Sequence, residues 1–161
     1  MKRIGHLVGF ILFSGFLVVI SPLLLIVYLL YFARSMVLFV LWQCRHGGKG
    51  REFLVVYSDS PKWANFFSVQ VLPLLGSRDV IVNISSTPSW KAARTLERSA
   101  HQHWAGTVEH TPIVLYFPRF GRVKSVRFYQ AFLLHARQGD ASKLNAKISE
   151  LQALITRSEQ A

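Results

Sequence analysis

The chain has 161 residues, a formal net charge of +11 and 51% hydrophobic residues. That is enough for one compact domain plus an apolar segment, and a single cysteine, Cys44, excludes an internal disulfide. All eight acids lie from Glu52 onward, and the first 51 residues carry only Lys2, Arg3, Arg34, Arg45, Lys49 and Arg51 as charges.

From Leu7 to Phe32, 26 residues pass without a charge. A helix of about 20 residues spans a bilayer core, so residues 1–44 read as a membrane anchor with one span within 7–32. The run is longer than the apolar part of a cleaved signal. "YFARSM" is a poor cleavage site, and the "LWQ" before Cys44 lacks the small residues that a lipoprotein signal needs, so the anchor reads as uncleaved. Ser21-Pro22 reads as a kink, which membrane helices tolerate. A re-entrant hairpin bent at Pro22 is the alternative. "MVLFVLWQ" reads as an interfacial extension over 35–43, with Trp42 near the headgroups. Arg34, Arg45, Lys49 and Arg51 follow the span, and Lys2, Arg3 and the amino terminus precede it. The balance leans towards a single-pass protein with its C-terminal domain in the cytoplasm.

Residues 45–52, beginning "RHGGKGR", read as a basic flexible linker. "FLVVY" (53–57) reads as a buried strand. "SDSP" follows as a helix start, in which Ser58, Asp59 or Ser60 caps and Pro61 occupies the first turn. Trp63, Phe66, Phe67, Val71 and Leu74 recur at helical spacing up to Gly76. "DVIVNI" (79–84) is a second strand, and a helix is expected from about Trp90 to His103. "TPIVLYF" (111–117) and "RVKSVRF" (122–128), joined by "PRFG", read as a hairpin. "YQAFLLHARQ" is helical and closed by Gly139. Residues 139–161 hold a C-terminal amphipathic helix from Ser142, with Leu144, Ile148, Leu151 and Ile155 on one face. The order β-α-β-α-β-β-α-α implies an α/β domain whose first two strands pair in parallel and whose closing hairpin makes the sheet mixed.

That order over 53–138 resembles the thioredoxin-like fold. In that family the first core strand leads into the loop that carries the reactive cysteines, and Ser58-Asp59-Ser60-Pro61 stands at the matching place. A proline, usually cis, precedes the third core strand, and Thr111-Pro112 in "HTPIVLYF" matches it. The chain as a whole also resembles small membrane-anchored bacterial proteins, which implies the bacterial inner membrane. The cysteines are missing, however, and thiol-disulfide exchange needs a thiolate. The resemblance therefore implies a redox-inactive binding or scaffold domain rather than an enzyme. Its candidate ligand-binding residues are Ser58, Asp59, Ser60, Thr111 and Pro112, with no catalytic residue and no cofactor expected. A glutathione-transferase-like enzyme using Ser58 or Ser60 to orient a thiol is the alternative, although the chain is too short for that family's large helical second domain.

Arg119, Arg122, Lys124 and Arg127 stand among Phe117, Phe120 and Phe128. From Glu52 onward thirteen Lys and Arg oppose eight acids, a net of +5. On a tethered domain such a set suits anionic lipid headgroups. Nucleic acid is the weaker reading, since no nucleic-acid motif accompanies the charge. A protein partner is expected at the "SDSP" loop or the C-terminal helix. His101, His103 and His110 lack the spacing of a metal site and read as surface histidines near a helix end.

Overall fold

The computed structural model describes residues 2–87, 90, 92–106 and 111–160, and of residues 2–17 and 19 it describes the backbone alone. Residues 1–37 and 38–161 form two units.

Helix α1 (Lys2–Arg45) is long and apolar enough to cross a membrane, and it is the one such helix among the described residues. At 1.5 Å per residue its 44 residues rise about 66 Å, roughly twice a bilayer's hydrocarbon core. The helix continues through Pro22, so the hairpin alternative is not what forms. Proline has no N–H, which leaves the carbonyl of Val18, four residues back, without its helical donor. The Ser21 hydroxyl donates to that carbonyl at 3.3 Å. A side-chain bond of this kind satisfies the freed group where water is absent.

The second unit is built on a four-stranded mixed sheet in the order β2-β1-β3-β4. β1 (Phe53–Tyr57) pairs in parallel with β2 (Asp79–Asn83) and antiparallel with β3 (Ile113–Tyr116). β3 pairs antiparallel with β4 (Lys124–Arg127). Because side chains alternate across a strand, Phe53, Val55, Val114, Tyr116 and Val126 face one side. Leu54, Val56, Ile113 and Leu115 face the other.

The first side is covered by α2, α4 and α5. Helix α2 is made of Ala64–Phe66, a widened turn over Phe67–Val71 and Leu72–Leu75. The widening has a cause in Pro73, whose missing N–H breaks the regular ladder. The Leu72 N–H reaches back five residues to the Phe67 carbonyl. α4 (Tyr129–Gln138) ends at Gly139, whose φ of 68° lies in the left-handed region that glycine enters without a Cβ penalty. α5 (Ser142–Glu159) lays Leu144, Leu151 and Leu154 into the same core. Burying side chains of this kind contributes about 1.5–3 kcal/mol each.

The second side is covered by α3 (Leu96–Ala105) and by the last two turns of α1. Trp42 is fully buried, stacks on Phe117 with ring centroids 4.1 Å apart, and donates its indole N–H to the Arg51 carbonyl at 3.3 Å. Gln43 donates to the Pro118 carbonyl at 2.8 Å. His46, also buried, lies 2.9 Å from Glu97 on α3. The expected headgroup position of Trp42 is thereby corrected. An aromatic beside a span looks like a membrane-belt residue in sequence, but here Phe117 and Trp104 offer it a core site.

The expected flexible linker is corrected too. Lys49 N–H and Arg51 N–H donate to the His46 carbonyl at 2.9 and 3.1 Å, and Gly50, at φ 69°, closes the turn. The glycines serve a tight turn rather than flexibility. The second helix begins at Leu96 and not near Trp90. Thr95 caps it, its hydroxyl accepting from Arg98 N–H at 3.2 Å, and Trp90 is instead a buried anchor of the preceding turns. Lys91 lies outside the described residues.

Candidate functional site

Parallel strands end together, so β1 and β2 leave the sheet at one end, where β3 begins. Val56 lies opposite Ile113. Tyr57, one residue further on, closes β1 directly before Ser58, and Ile113 opens β3 directly after Thr111-Pro112. The two segments singled out in the sequence therefore stand at the same end of the sheet, the carboxyl end of β1. The Thr111–Pro112 bond is cis, the isomer the resemblance implies, and both residues are buried.

This end is also where the chain changes direction. α2 leaves β1 towards one side of the sheet, α3 leaves β2 towards the other, and β2 and β3 flank β1. In open α/β sheets the crevice outside the strand ends at such a point is the usual ligand site.

The "SDSP" loop is held by hydrogen bonds that differ from the expected cap. Trp63 donates its indole N–H to the Ser58 hydroxyl at 3.3 Å. Asp59 N–H donates to Ser85 Oγ at 3.0 Å, and Asn83 Nδ2 donates to Asp59 Oδ1 at 2.6 Å. Ser85 N–H returns a bond to Asn83 Oδ1 at 2.9 Å. Ser60 takes part through its carbonyl, which accepts from Trp63 N–H at 3.1 Å and Ala64 N–H at 2.9 Å. No side chain of this loop caps α2, which begins only at Ala64 after a turn over Pro61. Competition is one reason: the Asp59 carboxylate is bonded to β2's exit loop and the Ser58 hydroxyl to Trp63. Asn83, Ser85 and Trp63 belong to the site and were not among the expected residues. The signal for the first two was the polar "NISS" closing a β-branched strand.

Asn83 also borders a cleft of about 460 Å³ beside the free edge of β2, with Val80, Val82, Thr87 and Trp90 in its wall. The site thus combines hydroxyl groups at Ser58, Ser60 and Thr111, one carboxylate held by an amide, and an apolar cleft alongside. Its chemistry is hydrogen bonding and apolar contact. Cys44, the single thiol, is exposed on α1.

The basic set lies apart from this site. Arg119, Phe120 and Arg122 are exposed in the β3–β4 turn, at the opposite end of the sheet, and Phe120 is 90% exposed. Lys124 opens β4 and Arg127 closes it, about 10 Å apart at some 3.3 Å per residue. Arg127 instead borders a groove of about 330 Å³ with Leu134, Lys143 and Lys147. The four cations are therefore not one patch.

Beside the turn, Glu52 is buried, with Oε1 3.7 Å from Arg119 Nε. Burial pushes its carboxyl above the usual range, against the lowering pull of Arg119 and Arg78. Glu97 moves the other way. Burial works to raise it, but its backbone hydrogen bond, the His46 bond and the Arg45 charge outweigh that and hold it below the usual range.

His101 is fully buried, edge-on to Trp90 with ring centroids 5.9 Å apart, which corrects its reading as a surface histidine. Its position on the inward side of α3 is the cause. Among the described residues no group of three or more His, Cys, Asp or Glu is placed to hold a metal ion. Glu109 and His110 lie outside the described residues. No protein-family model matches the chain, and no curated protein and no solved structure matches it either.

Proposed function

We propose that the chain is a single-pass membrane protein whose cytoplasmic domain is a thioredoxin-like fold without redox cysteines, and that it captures a peptide segment non-covalently at the carboxyl end of β1. The observation that carries this reading is the pairing of Val56 with Ile113, which places the residues after β1 and those before β3 at one end of the sheet, where its direction changes. The strand order β2-β1-β3-β4, with helices on both sides, supports the fold. The long apolar helix near the amino terminus supports the anchor. The four basic residues that follow the uncharged run support the orientation.

The chemistry follows from the side chains. Ser58, Ser60 and Thr111 supply hydroxyls that donate to carbonyls or accept from amides. The 460 Å³ cleft beside β2 gives apolar side chains a place next to that hydrogen-bonding end. An extended segment suits this pairing of main-chain bonds and side-chain pockets.

The test is site-specific photo-crosslinking from the full chain in native membranes. A crosslinker at Ser60 should trap a discrete peptide-bearing adduct, and one at Val69, exposed on α2, should not. Equal or absent adducts at both positions would overturn the reading. Retention of glutathione by the purified full chain, abolished by Ser58→Ala, would move the assignment to a thiol-binding enzyme.

A further inference from the structure

We infer that the β3–β4 turn is a second membrane contact, in which Phe120 enters the interface of an anionic bilayer and Arg119 and Arg122 engage its headgroups. The inference rests on the reading of α1 as a membrane span.

Phe120 is 90% exposed, the most exposed large apolar side chain among the described residues. A tip phenylalanine gains nothing in water, where its apolar area stays hydrated. Its neighbours in the turn are Arg119 and Arg122, both exposed, and no acid stands between Pro118 and Arg127. The nearest acid is Glu52, which is buried and lies against Arg119.

The position of the turn supplies the second argument. Gln43 of α1 donates to the Pro118 carbonyl at 2.8 Å, and Trp42 stacks on Phe117. Those contacts fix the turn beside the last turn of α1. Val40 and Leu41 are exposed there, and after them the helix becomes polar through Gln43, Cys44 and Arg45. Arg34 and Arg45 bracket this uncharged stretch of the helix, and cations that follow a span mark its headgroup region. The turn is held at the same level by a short bond rather than a flexible tether. Arg45, Lys49 and Arg51 are exposed in the adjoining segment and add to the same positive field.

Charge therefore selects the occupant. A surface that is cationic, with one apolar side chain at its centre, matches anionic phospholipid: attraction brings the turn to the headgroups and Phe120 enters below them. Each exposed cation at such a surface strengthens partition by about fivefold.

The test uses the full chain with Cys44→Ala, reconstituted in nanodiscs of phosphatidylcholine with phosphatidylglycerol. A nitroxide is attached in turn at Leu25→Cys, Phe120→Cys and Val69→Cys, all exposed positions that tolerate a label. Collision with oxygen and with a water-soluble nickel chelate then reports depth. The expected result is that position 25 is lipid-buried, position 69 aqueous, and position 120 several-fold less accessible to nickel than position 69. Arg119→Ala with Arg122→Ala should raise the nickel accessibility of position 120 towards that of position 69, as should phosphatidylcholine alone. If position 25 is buried and position 120 matches position 69, the turn is not a membrane contact although the anchor stands. If position 25 is itself aqueous, both the anchor and this inference fall. If position 120 is buried equally in neutral and anionic discs, the assignment of anionic lipid falls.

Discussion

The two sides of the sheet are built differently. On the α2, α4 and α5 side the core is aliphatic and phenyl, with Phe53, Phe67, Phe128 and Phe132 meeting Leu144 and Leu151. On the α3 side the core is indole-rich and threaded with polar bonds: Trp42 to the Arg51 carbonyl, Gln43 to the Pro118 carbonyl, and His46 to Glu97. The first side draws only on residues downstream of Glu52. The second is incomplete without residues 38–46, the end of the long apolar helix and the residue after it. The difference teaches that the end of the long apolar helix is also part of the domain's core, so a boundary drawn where the apolar composition stops cuts through a hydrophobic core.

The most severe way to break this comparison is to remove that shared segment. A fragment of residues 38–161 should unfold cooperatively, and one of 52–161 should be molten or aggregated, with Phe117 uncovered. Within the full chain, Trp42→Ala should cost about 3–5 kcal/mol, the usual cost of emptying a large aromatic site. Chemical unfolding in detergent, followed by far-UV circular dichroism of the strands, measures it. A 52–161 fragment as stable as 38–161 would show that the end of α1 is only a cover. On the other side of the sheet, Leu151→Ala should cost about 2–5 kcal/mol, because α5 contributes core and is not an appendage.

These two outcomes mark what the sequence made legible. The continuous apolar run of "FLVVY" and the helical spacing of Leu144 and Leu151 are local patterns, and both elements form where the pattern sets them. Trp42 was illegible for a physical reason. Hydrophobicity does not say whether an apolar side chain is surrounded by lipid or by protein, and Trp42 touches Phe117, 75 positions away. The glycines of 47–50 were misread because composition cannot separate a flexible segment from a turn that needs φ above zero. At the candidate site, strand order made legible that the loop after β1 and the segment before β3 share one end of the sheet. Asn83 and Ser85 were not legible, because their role comes from side-chain bonds across to Asp59.

A smaller effect sharpens the polar side. Glu97 accepts from His46 in a buried setting, and removing it leaves the imidazole without its partner. Glu97→Ala should cost about 1–3 kcal/mol, and Glu97→Gln, which keeps an acceptor, less. Glu97 titrates lower in the folded chain than in the unfolded one. Its stabilisation is therefore complete above the ordinary glutamate range and is lost as pH falls through the depressed folded value. The acid limb of a stability profile should flatten in Glu97→Gln. Glu52 has the opposite sign: burial, its largest cause, raises its carboxyl, so its contribution is lost as pH rises through the folded value. Glu52→Gln should raise stability at neutral pH relative to its effect at low pH. Thermal melts from below the ordinary carboxylate range up to neutrality check both, and parallel slopes in the two variants would contradict the assigned causes.

The smallest change in stability is expected at the candidate site itself, and that is its use as a test. Ser58 gives up one hydrogen bond when changed to Ala, and the indole N–H of Trp63 that loses it is partly exposed and turns to water. Ser60 contributes its carbonyl to the turn, which an alanine retains. The double change Ser58→Ala with Ser60→Ala should therefore alter stability by no more than about 0.5 kcal/mol. Capture of a peptide should fall far more, since two hydroxyls that would meet its main chain are gone. Asp59→Ala belongs in the same series, because its carboxylate ties the loop to Asn83 and its loss should loosen the loop before it touches the core. A loop that merely joins β1 to α2 would show the reverse order, with melting temperature tracking every substitution and crosslinking from Ser60 unmoved. A loop that binds would keep its melting temperature in the serine pair and lose its adduct.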